Sequence, residues 1–329
     1  MSITYFIEAI EETGMNDTSN TQMLLDMVVA NARANHEGDP ASYIPELANV
    51  DSSLTSVAMI YCNGESYVAG DVDKHVFTLQ SVAKLVVLIG LLEECGEELV
   101  FSWVGVEASG KAFASISHLD APGAKPANPL INPGAITLCS FIPGETTADR
   151  LEWLARWVAL VFGEPLQVNE RVLDSERRTG DRNRALAYLL RSDTALTGDV
   201  EEILEVYFTL CSYEANVKAA AYLPMLLANG GCTPDGQQIF SAQTASRVVS
   251  IMANCGMYDE SGIHLVRTGM PAKSGVSGAI VAVSPGRCGI AVSSPRINRK
   301  GGSVRGHLIL GDMSRAFGLH FALVNNKTA

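Results

Sequence analysis

The pattern of hydrophobic and polar positions predicts strands near both ends of the chain and helices between them. Apolar residues recur at helical spacing over residues 24–34, which predicts an amphipathic helix. Two short apolar runs, 57–62 and 65–69, flank Asn63-Gly64. Because Asn-Gly is the dipeptide that a tight type I′ turn prefers, these runs predict a β-hairpin.

The middle of the chain is dominated by helical spacing. One apolar face begins at Ser81 and runs to Leu92, which predicts a helix that starts at the serine. Residues 109–133 are rich in Gly, Pro, Ser and Ala and predict a long loop, a kind of segment that is usually functional or poorly ordered. Further helical patterns extend from about 146 to 255, including 150–162, 183–190, 200–211 and 215–229.

The C-terminal part returns to short extended runs. Residues 278–283 and 289–293 flank Pro285-Gly286-Arg287 and predict a second hairpin, and residues 307–319 form a last amphipathic segment. We therefore predict an α+β fold in one catalytic unit of 329 residues. Its sheet-containing subdomain would combine residues 1–80 with 262–329, and residues 81–261 would form a mainly helical subdomain.

Composition and charge exclude several classes of function. The chain is 47% hydrophobic and 18% charged, with a net charge of −12 and a pI near 5.0. These values are typical of a globular enzyme and argue against nucleic acid or an anionic membrane as partner, since both require clustered Lys and Arg. The longest apolar run, 85–92, is too short to span a bilayer, and the N-terminus lacks the features of a signal peptide.

Cysteine and histidine usage points to a reducing compartment without a metal site. The seven cysteines are scattered singly and the six histidines are equally dispersed. An odd number of isolated cysteines is typical of reduced thiols in a cytoplasmic protein rather than of disulfides or zinc ligands. We expect a cytoplasmic protein that needs no metal and no cofactor.

Ser81-Val-Ala-Lys84 is a candidate nucleophile and base pair. Three residues apart on a helix, the two side chains share a face, so the lysine amine can reach the serine hydroxyl. An unperturbed lysine has a pKa of about 10.4. A substantial neutral population at pH 7 therefore requires the pKa to fall by roughly three units, which corresponds to a free energy on the order of 4 kcal/mol. Burial and a neighbouring cation together can supply it. A chance match is the alternative, because a chain of this composition contains on the order of one S-x-x-K.

Lys273-Ser274-Gly275 is a second, rarer motif. It is expected by chance only about 0.1 times in such a chain, and it directly precedes the predicted strand 278–283. At the head of an edge strand, K-[ST]-G can present a cation and a hydroxyl to a reacting serine, with the Val276 amide as an oxyanion donor. A glycine-rich turn is the alternative. In this order, the two motifs are typical of serine β-lactamases and penicillin-binding proteins.

Other stretches distinguish the family within that superfamily. The chain resembles the β-lactamase-like glutaminase family from about residue 20 to its C-terminus. The resemblance is carried by Tyr43-Ile-Pro-Glu-Leu-Ala, Leu79-Gln-Ser-Val-Ala-Lys84, Asn128-Pro-Leu-Ile-Asn-Pro-Gly-Ala-Ile136, Ser175-Glu-Arg-Arg-Thr-Gly-Asp-Arg-Asn183, Asn229-Gly-Gly, Asn254-Cys-Gly-Met-Tyr-Asp259, Pro271-Ala-Lys-Ser-Gly-Val276 and Gly301-Gly-Ser-Val-Arg-Gly. It implies a serine β-lactamase-like fold, an antiparallel sheet flanked by helices plus an all-α subdomain, with the active site between the subdomains.

The resemblance also implies the chemistry. Ser81 would be the nucleophile and Lys84 its general base, and Tyr258 would assist proton transfer to departing ammonia. The Val276 and Ser81 amides would bind the oxyanion. Lys273 and Ser274 would support the site.

The resemblance implies eight residues that bind L-glutamine: Ser81, Tyr258 and Val276, which are named above, and five more. They are Asn132, Glu176, Asn183 and Tyr207, which would hold the amino-acid head, and Tyr43, which would close over it. A zwitterion needs an anion for its ammonium group and neutral donors for its carboxylate, which this set contains. Alternatively, Glu176 and Asn183 belong to a solvated polar segment and Tyr207 belongs to the core.

Three positions depart from the family pattern. Pro133 replaces the usual alanine after Asn132, and Ala114 and Gly302 stand where asparagine is common. Pro133 removes a backbone donor, which puts the local loop geometry in question.

We therefore expect a glutaminase that forms L-glutamate and ammonia through a γ-glutamyl-serine ester. A β-lactam hydrolase or peptidase of the same superfamily is one alternative, and a non-catalytic amino-acid sensor on the same fold is another. By analogy with relatives, we expect a homodimer or homotetramer.

Overall fold

A five-stranded antiparallel sheet lies at the centre of the fold. In this computed structural model, which describes residues 18–108, 125–193 and 195–323, its strands are β1 (Ser56–Tyr61), β2 (Ser66–Gly70), β5 (Ala272–Ser274), β6 (Ala279–Ser284) and β7 (Cys288–Ser293). Their order across the sheet is β2-β1-β7-β6-β5. A separate antiparallel pair joins β3 (Phe77–Thr78) to β4 (Glu214–Ala215).

Helices cover both faces of this sheet. Among the described residues they are α1 (Thr18–Arg33), α2 (Pro45–Ala48), α3 (Lys84–Cys95), α4 (Glu97–Trp103), α5 (Asn132–Ser140), α6 (Thr147–Phe162), α7 (Glu170–Thr179), α8 (Asp181–Ser192), α9 (Val200–Ser212), α10 (Val217–Ala228), α11 (Ala242–Cys255), α12 (Ser261–Thr268) and α13 (Val304–Phe317). Short 3-10 turns occupy Gln80–Ala83 and Tyr258–Glu260.

The inner strands divide two hydrophobic cores. Along β6, Ile280 and Ala282 face a core shared with α1 and α13. Ala279, Val281 and Val283 face the larger core, which is shared with α10 and the other helices. Because successive side chains of a strand point to opposite faces, a strand buried on both sides is apolar along its whole length. This explains the continuous apolar run of the C-terminal hairpin.

Helix α10 approaches β7 very closely at Gly289. A Cβ atom at this position would lie 2.0 Å from the Met225 backbone nitrogen and 2.4 Å from the Pro224 carbonyl carbon. Only glycine can occupy the strand there without moving the helix. The contact holds the helical layer, which carries most of the candidate site, against the sheet.

The α+β prediction is confirmed, with an antiparallel sheet flanked by helices. Both predicted hairpins are present, with Gly64 and Gly286 in the left-handed region. Asn63 is not in that region, so the first turn is not of the expected type I′. The division into residues 1–80 with 262–329 and residues 81–261 stays a prediction.

Several element boundaries differ from the predictions. Ser81 lies in a 3-10 turn, and the α-helix starts at Lys84. Residues 109–124 of the predicted loop lie outside the described residues, and its last two positions open helix α5 instead. The helix predicted from residue 215 begins at Val217, because Glu214 and Ala215 pair with β3. The last helix starts at Val304 rather than 307.

Candidate active site

Ser81 lies where the sheet meets the helices, just ahead of α3. Gln80, directly before it, has a φ of +48°, in the left-handed region that costs a non-glycine residue roughly 1–2 kcal/mol. The Ser81 side chain is buried but borders a cavity. Such backbone outliers cluster at functional sites, and this one fixes the direction of the serine.

Lys84 contacts the Ser81 hydroxyl as predicted. Its Nζ lies 3.0 Å from Ser81 Oγ and donates to Asn132 Oδ1 at 2.7 Å. The Asn132 amide in turn donates to Asn183 Oδ1 at 3.0 Å. Lys84 is 1% exposed. Burial lowers the pKa of this amine to about 8, against the opposing effect of nearby acidic groups that include Glu176.

A second buried lysine, Lys273, lies close enough to interact electrostatically with Lys84. It stands on edge strand β5, which pairs with β6 and which the sequence pattern did not predict as a strand. Burial and the Lys84 charge lower the pKa of Lys273 well below its ordinary value. Lys273 Nζ donates to the Ser274 carbonyl at 2.6 Å. The Lys273 and Ser274 side chains of the K-S-G motif are both fully buried.

Tyr258 links Lys273 to Ser81. It begins a 3-10 turn with a φ of +54°, its ring centroid lies 4.5 Å from Lys273 Nζ, and its hydroxyl donates to the Ser274 carbonyl at 3.2 Å. Burial raises the pKa of Tyr258 to about 12, although hydrogen bonds with Ser81 and Ser274 oppose the rise. The phenol therefore stays protonated at neutral pH and can act as a donor.

Val276, which carries the second amide of the predicted oxyanion site, lines the same cavity as Ser81. Val276 lies in the turn between β5 and β6, which is closed by bonds from the Gly275 amide to Ala279 O at 2.8 Å and from the Gly278 amide to Gly275 O at 3.0 Å. Neither the Val276 nor the Ser81 amide donates to another of the described residues. Paired amides at a nucleophile are the usual construction of an oxyanion hole.

The cavity in front of Ser81 has a volume of about 400 Å³. Its lining includes Tyr43, Ser81, Asn132, Glu176, Asn183, Tyr207 and Val276, so the structure brings together seven of the eight predicted substrate-binding residues. The eighth, Tyr258, reaches Ser81 without lining the cavity wall.

Five lining residues were not predicted from the sequence. They are Gln80, Thr179, Gly180, Arg182 and Cys211. Cys211 follows Tyr207 by one helical turn of α9, so its place on the same face could have been inferred from spacing.

Glu176 provides a buried anion at one end of the cavity. It is 5% exposed, and burial raises the pKa of this carboxyl. The Tyr43 hydroxyl lies 2.9 Å from Glu176 Oε1 and 2.6 Å from Gln80 Oε1. Tyr43 is 47% exposed and lines the cavity, so it stands at the solvent side while its hydroxyl reaches Glu176.

The described residues contain no cluster of three or more metal-ligating side chains, and the seven cysteines are all free thiols. No helix in the described part of the chain has the length and apolarity that crossing a bilayer requires.

A model of the glutaminase family matches residues 38–321. The chain belongs to the glutaminase family. A glutaminase from Legionella pneumophila (strain Corby) is 52% identical over 92% of this chain and 98% of its own length. One from Clostridium botulinum (strain Loch Maree / Type A3) is 43% identical over 90% and 98%. The family predicted from the sequence motifs is confirmed.

Solved structures share the fold. A probable glutaminase, ybaS, superposes with a TM-score of 0.88 at 35% identity, covering 92% of this chain and 98% of that one. The glutamate form of Mglu superposes with a TM-score of 0.86 at 34% identity, covering 92% of this chain and 70% of that one.

Two departures from the usual glutaminase pattern have a structural reason, and the third, Ala114, lies outside the described residues. Pro133 is the second residue of α5, where a helix needs no backbone donor, so the proline fits. At Gly302, a Cβ atom would lie 2.5 Å from His307 Nε2 and 2.7 Å from Glu260 Oε2. These two side chains fill the space that any larger residue would take.

Proposed function

We propose that this glutaminase-family chain hydrolyses L-glutamine to L-glutamate and ammonia through a γ-glutamyl ester on Ser81. The observation that carries the proposal is the 3.0 Å contact between Lys84 Nζ and Ser81 Oγ beside a cavity that contains the Glu176 carboxylate. One related structure is a glutamate form, and glutamate is the product expected here.

In the acylation step, neutral Lys84 accepts the Ser81 proton as Oγ attacks the side-chain amide carbon. The Ser81 and Val276 amides bind the oxygen that becomes negative. The carbon–nitrogen bond then breaks, and the nitrogen leaves as ammonia with a proton delivered from Lys84 through the Tyr258 hydroxyl. Burial supplies the neutral amine, because it lowers the pKa of Lys84 to about 8.

Deacylation repeats these roles with water as nucleophile. Lys84 accepts the proton of water, which attacks the ester carbonyl while the same two amides bind the oxyanion. The ester bond breaks, Ser81 Oγ recovers a proton from Lys84, and L-glutamate leaves. No redox change occurs in either step.

The head of the substrate would occupy the Glu176 end of the cavity. The Glu176 carboxylate is the acceptor for the ammonium group, and the charge-assisted bond favours a zwitterion. Asn183 and Tyr207 provide neutral donors for the carboxylate. Asn132 connects both regions, since its amide group bonds Lys84 on one side and Asn183 on the other.

The decisive test measures ammonia release from glutamine and asparagine, and hydrolysis of a chromogenic cephalosporin, for the wild type and Ser81→Ala. We expect ammonia from glutamine with the wild type only. Full activity of Ser81→Ala would refute the serine mechanism. Cephalosporin turnover without glutamine turnover would favour a β-lactam hydrolase, and tight glutamine binding without ammonia would favour a sensor.

We further propose a cytoplasmic homodimer or homotetramer, in line with the free thiols. Light scattering of the purified protein tests the oligomer, and a single-subunit mass would contradict it. Fractionation of cells tests the compartment.

A further inference from the structure

A largely half-buried polar cluster lies next to Tyr258, outside the catalytic cavity. It consists of Glu260, Asn298, His307 and His264. Asn298 Nδ2 donates to the two Glu260 carboxylate oxygens at 3.0 and 3.1 Å. His307 Nε2 lies 3.5 Å from Glu260 Oε2, and His307 Nδ1 lies 3.4 Å from His264 Nδ1. None of the four lines the cavity in front of Ser81.

Glu260 connects this cluster to Tyr258 through the backbone. It is the last residue of the 3-10 turn that Tyr258 begins. The turn is closed on its other side by Ser261, whose Oγ donates to the Tyr258 carbonyl at 3.0 Å. Anchoring the Glu260 side chain therefore restrains a turn whose first residue has an unfavourable left-handed conformation.

Asn298 connects the cluster to Tyr258 a second time, through a loop. Its Oδ1 accepts from the Lys300 amide at 2.8 Å and the Gly302 amide at 3.2 Å. This closes the loop 298–302. The Gly301 backbone then lies against the Tyr258 ring and the Val276 side chain, since a Cβ atom there would be 3.5 Å from Tyr258 Cε2 and 3.6 Å from Val276 Cγ1.

The cluster is tightly packed and charged. At Gly302, no side chain could be added without meeting Glu260 and His307. Burial alone would disfavour the Glu260 carboxylate, but its interactions with His307 and Asn298 keep its pKa below the ordinary value. Glu260 is therefore ionised at neutral pH, accepts charge-assisted bonds from Asn298 and lies beside the His307 ring.

We propose that Glu260, clamped by Asn298 and His307, is a positioning residue that holds Tyr258 in its left-handed conformation beside Ser81. The inference rests on the proposed function, in which the Tyr258 hydroxyl serves proton transfer. Because the cluster contacts the reacting end of the site and not the Glu176 end, its loss affects turnover rather than glutamine binding.

The test compares kcat and KM for glutamine in the wild type, Glu260→Ala and Glu260→Gln. A displacement of about 1 Å at a reacting group can cost about 100-fold in rate. We expect Glu260→Ala to lower kcat by roughly 10- to 100-fold with KM changed less than about three-fold. Glu260→Gln retains an acceptor for Asn298 and should recover part of the loss.

A matched control is Glu94→Gln. Glu94 is also a half-buried carboxylate with several side-chain donors, Trp153, Trp157 and Arg156. It lies ten residues along α3 from Lys84, about 15 Å at the helical rise. This variant should lower the thermal midpoint while leaving kcat unchanged, which separates loss of stability from loss of positioning.

A double-mutant cycle with Tyr258→Phe completes the test. If Glu260 acts through Tyr258, adding Glu260→Ala to Tyr258→Phe lowers kcat little further. Fully multiplicative losses, or an unchanged kcat in Glu260→Ala, would overturn the positioning role. Full activity of Tyr258→Phe alone would instead refute the proposed part of Tyr258 in proton transfer.

Discussion

The pH dependence of glutamine hydrolysis tests the proposed base most directly. Burial lowers the pKa of Lys84 to about 8, so about one-tenth of the enzyme has a neutral amine at pH 7, about half at pH 8 and about nine-tenths at pH 9. The depression from 10.5 to about 8 corresponds to about 3 kcal/mol. We therefore expect kcat/KM to rise about five-fold between pH 7 and 8 and less than two-fold between pH 8 and 9.

The assay is initial-rate ammonia release at low glutamine concentration, since kcat/KM then reports the ionisation of the free enzyme. A lysine with its ordinary pKa would instead give a roughly ten-fold rise per pH unit with no plateau near pH 9. That result, or a flat profile, would refute the view that burial prepares Lys84 as the base.

Stability must be followed over the same pH range. The folded pKa of Lys84 lies below the unfolded value, so between about pH 8 and 10 the unfolded chain binds more protons than the folded chain. Lys84 therefore adds stability as the pH rises through this window, and buried Lys273 acts in the same direction. Circular dichroism checks that the protein is fully folded from pH 7 to pH 9. If it is, the rising rate reflects the ionisation of Lys84 and not a growing fraction of folded enzyme.

Two further variants test the substrate pocket and the packing. Glu176→Gln removes the buried anion, and the loss of a charged hydrogen bond, about 1.5–3 kcal/mol, should raise KM for glutamine roughly 10- to 100-fold; an unchanged KM in steady-state kinetics would contradict the assignment of the ammonium site. Gly289→Ala introduces a Cβ atom 2.0 Å from Met225 N, so overpacking should lower the free energy of unfolding by about 1–3 kcal/mol. Denaturant unfolding measures this loss against Gly262→Ala, where the new atom meets nothing within 4 Å. Equal free energies of unfolding for the two variants would show that helix α10 can move to accommodate the added methyl group.

Local signals explain which parts of the fold could be predicted. Asn63-Gly64 places a glycine where the turn needs a left-handed backbone, so the first hairpin was predictable from the sequence. Strand β5 has only three residues, and its extended form depends on pairing with β6. No window of sequence contains that information, which is why Lys273 and Ser274 were placed before a strand rather than in one.

The candidate site could likewise be predicted only in part. The spacing of Ser81 and Lys84 predicted their contact. The left-handed backbone conformations of Gln80 and Tyr258 could not be predicted from residue type, because neither residue is Gly or Asn. Those conformations are imposed by tertiary contacts. The family resemblance assigned Asn132 and Asn183 to the substrate head. The bonds of Asn132 to Lys84 and to Asn183 were not predicted, since helices α5 and α8 are brought together only by the folded chain.

The pairing of β1 with β7 has a consequence for biosynthesis. Tyr61 pairs with Cys288 and Ser56 with Ser293, so about 230 residues separate neighbours in the sheet. At about 5–20 residues per second, β1 leaves the ribosome about 10–45 s before its inner neighbour does. Until then its apolar residues have only β2 beside them, and Ser81 lacks the Val276 amide. The inner edge of β1 is therefore unpaired during most of synthesis, and we expect the nascent chain to depend on chaperones because of the sheet order.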